Sequence, residues 1–159
     1  MRTHSIAVAA IVLSLAACSK GASTSPADPA NQVITTATFD SSLRVDLKAS
    51  TVTPSGLYYR DIVVGTGPVA VAGDSVFAGY VGALTDGKQF DASPANQPYG
   101  FPLGGHRVIA GWDEGVAGMH VGGKRQLIIP ASLGYGPSGS GPIPPNAVLI
   151  FTVELARVQ

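Results

Sequence analysis

The usual material for acid–base, nucleophilic or metal chemistry is thinly and unhelpfully spaced in this chain of 159 residues, which has three histidines, ten acidic residues and one cysteine. His4 lies in an apolar leader, His106 in a turn and His120 beyond a predicted helix, and none stands with a serine or cysteine in a recognisable nucleophile setting. The latter two read as exposed turn residues. The carboxylates are scattered, so spacing identifies no paired acid and base. Cys18 is alone, which leaves neither an internal disulfide nor a Cys/His metal cluster to expect. Gly134-Tyr-Gly136-Pro-Ser-Gly139 formally matches Gly-x-Gly-x-x-Gly, but Pro137, Pro142, Pro144 and Pro145 exclude the helix that a dinucleotide site needs there. What remains is a set of rings beside loops: Tyr80, Phe90, Tyr99, Phe101, Trp112, Tyr135 and Phe151. Each alone reads as core. Taken together with the motifs around them, they are much more specific.

The elements that must position these rings centre on Leu103–Met119, which contains the only tryptophan. Val108, Ile109, Trp112 and Val116 fall on one face of a short predicted helix. Gly111 and Gly115 weaken that helix by roughly 1 kcal/mol each, and Gly118 is placed to stop it, so it depends on tertiary contacts. Before it, Leu57–Val64 reads as a strand ended by Gly65-Thr66-Gly67-Pro68. A second strand follows Gly73-Asp74 and runs to Leu84; after the Asp86-Gly87 turn, Lys88–Asp91 resumes as a strand. Ala92–Pro98 reads as a loop and Tyr99–Leu103 as a short strand. After the helix come a strand over Lys124–Ile129, a Gly/Pro loop over Gly134–Pro145, and a last strand in which Leu149, Phe151, Val153 and Leu155 alternate with Ile150, Thr152, Glu154 and Ala156. The sum is an antiparallel sheet with one short helix, an α+β domain.

Composition narrows the reading further. Ten basic and ten acidic residues cancel, which removes the electrostatic footprint expected of a nucleic-acid partner. Twenty glycines and twelve prolines without a period fit many turns and one sheet-rich domain. Residues 1–17 carry a polar start and an apolar run too short to span a bilayer, as in a secretory signal. Leu15-Ala16-Ala17-Cys18 resembles the cleavage box of bacterial lipoproteins, in which the cysteine is lipidated and becomes the first residue. Acyl chains contribute about 0.8 kcal/mol per buried methylene, so several of them hold a protein to a membrane. Residues 18–53 then read as the lipidated end and a tether, polar from Ser19 to about Asn31, with room for a short docked segment at Phe39, Leu43, Val45 and Leu47. The folded domain is expected over residues 54–159.

Tyr80 lies in Gly-Tyr-Val-Gly, Phe90-Asp91 follows Asp-Gly-Lys-Gln, Val108-Ile109 leads into Gly-Trp-Asp-Glu-Gly-Val, Tyr135 lies in Leu-Gly-Tyr-Gly-Pro, and Phe151 follows Ile-Pro-Pro-Asn-Ala-Val-Leu-Ile. In this order and spacing, the ring motifs resemble those of the FKBP-type peptidyl-prolyl cis-trans isomerases. The resemblance runs from about Ser55 to Gln159. It implies a five-stranded antiparallel sheet curled around one short helix, with an apolar pocket at the helix and no cofactor or metal. It assigns Trp112 as the floor under a substrate proline, and Tyr80, Phe90, Tyr99, Val108, Ile109 and Phe151 as walls. Ile143 is a further implied substrate-binding residue. The Ile109 N–H and the Tyr135 hydroxyl would hydrogen-bond substrate carbonyls, with Asp91 at the pocket edge near Tyr80; Tyr80, Asp91, Tyr135 and Phe151 form the implied catalytic group.

Two departures from the family pattern fall on the rim: no arginine between Phe90 and Pro98, and a 136–143 loop that is one residue shorter and lacks a histidine. They bear on affinity and sequence preference. The implied partners are proline-containing polypeptides, macrolide inhibitors of the family and, through Cys18, a membrane. The implied setting is the cell envelope, with Ser19 after the cysteine resembling an outer-membrane signal that leaves the domain facing the periplasm. A monomer is expected, since the long helical dimerisation segment of some related proteins is missing. The competing readings are a membrane-tethered chaperone or binding module of the same fold with little isomerase activity, and an envelope lipoprotein whose domain serves only assembly.

Overall fold

The computed structural model describes residues 29–159. The expected signal segment, His4, Cys18 and the first part of the expected tether lie outside the described residues. Seven strands form one antiparallel sheet: β1 (Thr51–Val52), β2 (Tyr58–Val63), β3 (Ser75–Leu84), β4 (Gln89–Ala92), β5 (Tyr99–Pro102), β6 (Lys124–Ile129) and β7 (Leu149–Val158). Their order is β1-β2-β6-β7-β3-β4, with β5 also on β3. The expected count of five differs for two reasons. β4 and β5 lie in succession along the same edge of β3, at Val81–Ala83 and Ser75–Ala78, so they fill one strand position interrupted by residues 93–98. β1 adds a two-residue edge beyond β2.

The short helix α2 (Ala110–Val116) packs on one face of this sheet. It starts later than the spacing predicts: Ile109 is extended, at φ −60° and ψ 149°, and only caps the helix, with Val108 before it. Both still face the core side because an extended approach can continue the face of the first turn. The two helix glycines have a packing reason. A Cβ at Gly111 would lie 2.5 Å from Ile129 Cγ2, and one at Gly115 would lie 2.7 Å from Leu127 Cδ2. Helix propensity is given up so that α2 can approach β6 closely.

Arg125 ties the other end of α2 to the sheet. It is buried, its Nε and Nη2 donate to the Asp61 carboxylate at 2.7 and 3.0 Å, and its Nη1 donates to the carbonyls of Gly115 and Ala117 at 3.0 and 3.2 Å. Those carbonyls belong to the helix end that lacks intrahelical partners, so the guanidinium serves as its C-terminal cap. The Tyr59 ring closes over the cation, 4.6 Å from its central carbon.

The opposite face of the sheet is covered by the stretch in which Phe39, Leu43, Val45 and Leu47 leave room for a docked segment. Helix α1 (Pro29–Thr36) begins at Pro29, a residue whose missing N–H costs nothing at a first helical position. The polar reading of residues 29–31 is therefore corrected to helix. Ile34 is fully buried against Tyr58, Ile128 and Val148, and Phe39, Val45 and Leu47 pack around that cluster. The segment is pinned by Asp40 N–H to Thr85 O at 2.8 Å, Gln126 Nε2 to Leu43 O at 2.8 Å and Arg60 Nη2 to Arg44 O at 2.9 Å. Packed structure thus extends upstream of Pro54, and residues 125–129 are buried on both faces of the sheet. His120 also differs from its expected exposure: it is half-buried, its Nδ1 lies 3.0 Å from the Gly67 carbonyl, and it pairs with Val69 in a β-bridge. Among the described residues no helix is long and apolar enough to cross a membrane.

Candidate active site

Strands β3 and β7 run antiparallel with Tyr80 opposite Val153 and Gly82 opposite Phe151, so Tyr80 and Phe151 stand on the same face two positions apart. That face looks at α2. Trp112 sits between them, with ring centroids 5.0 Å from Tyr80 and 5.3 Å from Phe151, both at 88°, and 5.5 Å from Phe101 at 60°. Edge-to-face packing of this kind holds an indole rigidly, because each ring edge meets the electron-rich face of its neighbour. Gly82 makes room for the arrangement: a Cβ there would lie 2.6 Å from Phe151 Cε1 and 2.8 Å from Phe90 Cζ.

Above Trp112 opens a cleft of about 370 Å³. Eight of the ten residues expected at the site line it: Tyr80, Asp91, Tyr99, Val108, Ile109, Trp112, Tyr135 and Phe151. Two do not. Phe90 stands behind Phe151, at 5.5 Å and 86°, and supports that ring instead of forming a wall. Ile143 is turned inward, 6% exposed and part of the main core, because residues 140–143 close on themselves through reciprocal Ser140–Ile143 hydrogen bonds. Conversely, His106 and Arg107 line the cleft and were not among the expected site residues. Their position directly before Val108-Ile109 was the available signal.

The polar groups divide into committed and free. The Tyr80 hydroxyl donates to Asp91 Oδ2 at 2.7 Å, and Asp91 Oδ1 accepts from the Ala92 N–H at 2.9 Å. Burial, then the hydrogen bond to Asp91 and its charge, push the Tyr80 phenol well above the ordinary tyrosine range. Burial also raises Tyr135, with smaller contributions from Asp91 and Tyr99. Both phenols stay protonated at neutral pH and remain donors. Tyr135, 40% exposed, makes no hydrogen bond among the described residues, and neither does the Ile109 N–H. These two free donors flank a floor of hydrocarbon.

The loop carrying Val108 and Ile109 is held from below by Asp113 on α2. Its carboxylate accepts from Gly104 N–H at 2.9 Å and His106 N–H at 3.0 Å, closing a turn in which both residues have positive φ, 74° and 53°. Ser55 Oγ meets the Glu114 carboxylate at 2.7 and 2.8 Å and fastens the chain before β2 to the same helix.

A curled antiparallel sheet on one short helix, with an aromatic cleft and free donors at the helix start, defines a binding domain for an apolar group attached to polar carbonyls. Residues 67–156 match the family model of the FKBP-type peptidyl-prolyl cis-trans isomerase, and the chain belongs to that family. It is 50% identical over 109 residues to the FK506-binding protein of Streptomyces anulatus, covering 66% of this chain and 88% of that one. It is 58% identical over 103 residues to FK506-binding protein 4 of Dictyostelium discoideum, covering 64% of this chain but only 28% of the relative. The chain thus spans little more than a quarter of that larger protein. Among solved structures, AtFKBP13 superimposes with a TM-score of 0.65 at 43% identity, covering 69% of this chain and 98% of that chain. FkpA from Escherichia coli gives a TM-score of 0.65 at 42% identity, covering 70% and 52%.

Proposed function

We propose that this chain accelerates cis-trans rotation of Xaa-Pro bonds in polypeptide clients, with Trp112 under the proline ring. The observation that carries the reading is the rigid indole floor flanked by two uncommitted donors, the Ile109 N–H and the Tyr135 hydroxyl. A prolyl amide is held planar by resonance, with a barrier of about 18–20 kcal/mol and exchange in tens to hundreds of seconds. Twisting the bond removes resonance and with it much of the charge separation between oxygen and nitrogen. An aromatic cleft therefore disfavours the planar ground state more than the twisted one, while the two donors hold the flanking carbonyls. Lowering the barrier by about 5.5 kcal/mol corresponds to roughly 10⁴-fold acceleration.

The test is the cis-to-trans relaxation of a short Leu-Pro peptide with and without the full chain. Strong acceleration that a macrolide inhibitor of the family blocks is the expected result. No acceleration by a folded chain would overturn the reading and move a client-holding function to first place.

The same proposal includes location. Leu15-Ala16-Ala17-Cys18 supports lipidation of Cys18 and a domain held at the cell envelope, with Ser19 favouring an outer membrane and a periplasmic face. In a bacterial host the full chain is expected in the membrane fraction and the Cys18→Ala chain in the soluble fraction. Wild-type chain found soluble would refute the anchor.

A further inference from the structure

We infer that Arg107 makes the cleft selective for clients carrying a carboxylate on a residue adjacent to the proline; the inference rests on the isomerase reading above. Arg107 lines the cleft at its exposed edge, and among the described residues it has no ion pair and no hydrogen bond. The carboxylate nearest in sequence, Asp113, is already engaged by two backbone N–H groups and lies 3.7 Å from the His106 ring. Asp91, the acid that lines the cleft, is occupied by the Tyr80 hydroxyl and the Ala92 N–H. The other rim segments offer no competing charge: residues 93–98 read Ser-Pro-Ala-Asn-Gln-Pro and residues 136–143 read Gly-Pro-Ser-Gly-Ser-Gly-Pro-Ile. A client bound through its proline thus meets one unpaired permanent cation beside the floor.

A guanidinium presents forked donors that suit a carboxylate and repel an ammonium group. Its exposure keeps the effect modest, because solvent screens the pair. The same charge would be neutral toward Leu-Pro clients, so the selectivity is superimposed on the apolar recognition.

The experiment compares kcat/KM for Glu-Pro and Lys-Pro peptides, and for Pro-Glu and Pro-Lys peptides, with wild type, R107Q and R107E. The acid-to-base ratio is expected to fall about threefold in R107Q and about tenfold in R107E for at least one of the two placements. Salt near 0.5 M should compress these differences to less than about twofold. Ratios that stay within about 1.5-fold of wild type in both variants and both placements overturn the inference. A common loss of activity cancels in each ratio, so a variant with a slightly disturbed cleft still reports. Leu-Pro acceleration by the wild type, measured alongside, separates the two proposals: its absence sinks the isomerase reading, and its presence with unmoved ratios sinks only the selectivity.

Discussion

Replacing Phe151 with alanine is expected to lower stability by about 3–5 kcal/mol and kcat/KM by at least about tenfold. The ring is 4% exposed and meets Tyr80, Phe90 and Trp112 at centroid distances of 6.1, 5.5 and 5.3 Å. Its removal leaves a cavity between two strands and the helix that the surrounding backbone cannot close, since β3 and β7 are paired on both sides of it. The loss of activity has a separate origin. Without Phe151 one of the three edges that fix the Trp112 plane is gone, and a floor that can tilt binds the twisted amide no better than the planar one. Urea unfolding reports the first effect and peptide relaxation the second. The two are separable with Phe151→Leu, which fills most of the volume and should retain most of the stability while still losing activity. A Phe151→Ala chain less than about 1 kcal/mol destabilised and fully active would show that the ring neither packs nor positions as described.

Asp61→Ala should be nearly as damaging to folding, by about 3 kcal/mol, although it lies on the far side of α2 from the cleft. The change strands Arg125, whose side chain is 8% exposed, with no counter-charge. The figure sits at the lower end of the usual range for a broken buried pair because Asp61 itself is a third exposed and Arg125 retains the Gly115 and Ala117 carbonyls. Adding Arg125→Met should recover at least half of the loss, since an apolar side chain in that site carries no desolvation cost. Thermal or urea unfolding of the two single variants and the double variant forms the cycle. Strict additivity would mean that the two side chains act independently and that the pair does not anchor the helix.

Most of the sheet is legible in the sequence, because most of its strands bury one face and so alternate. In β7, Leu149, Phe151, Val153 and Leu155 all turn to the helix side and are 4% exposed or less. The helix was legible from Trp112 and Val116, but its start was not. Val108 and Ile109 satisfy a helical period while lying in extended chain, and periodicity alone does not distinguish a helical residue from an extended one that approaches along the same face. The N-terminal segment shows a different limit. Phe39, Val45 and Leu47, which leave room for a docked segment, do pack, but what they pack on is not legible: with Ile34 they become a core only when the back of β6 supplies Ile128.

For the site, the family resemblance named ten residues through their motifs, and eight of them line the cleft. Phe90 and Ile143 are of the same type as the residues that line the cleft, and their chemistry does not say which side of a neighbouring ring they occupy. That was decided by packing: Gly82 lets Phe90 slide behind Phe151, and the Ser140–Ile143 closure turns Ile143 into the core. The pairing of Asp61 with Arg125, 64 residues apart, was invisible, since a charge has no periodicity and its partner is chosen in space. What the sequence determined by itself is the strand pattern, which follows from side-chain type and local spacing, and, through motifs in a fixed order, the resemblance to the family and with it the apolar site. Which rings face the cleft, which donors stay free, and which cation stands unpaired at its edge were decided by tertiary structure, because each depends on contacts between segments that come together only when the sheet closes on the helix.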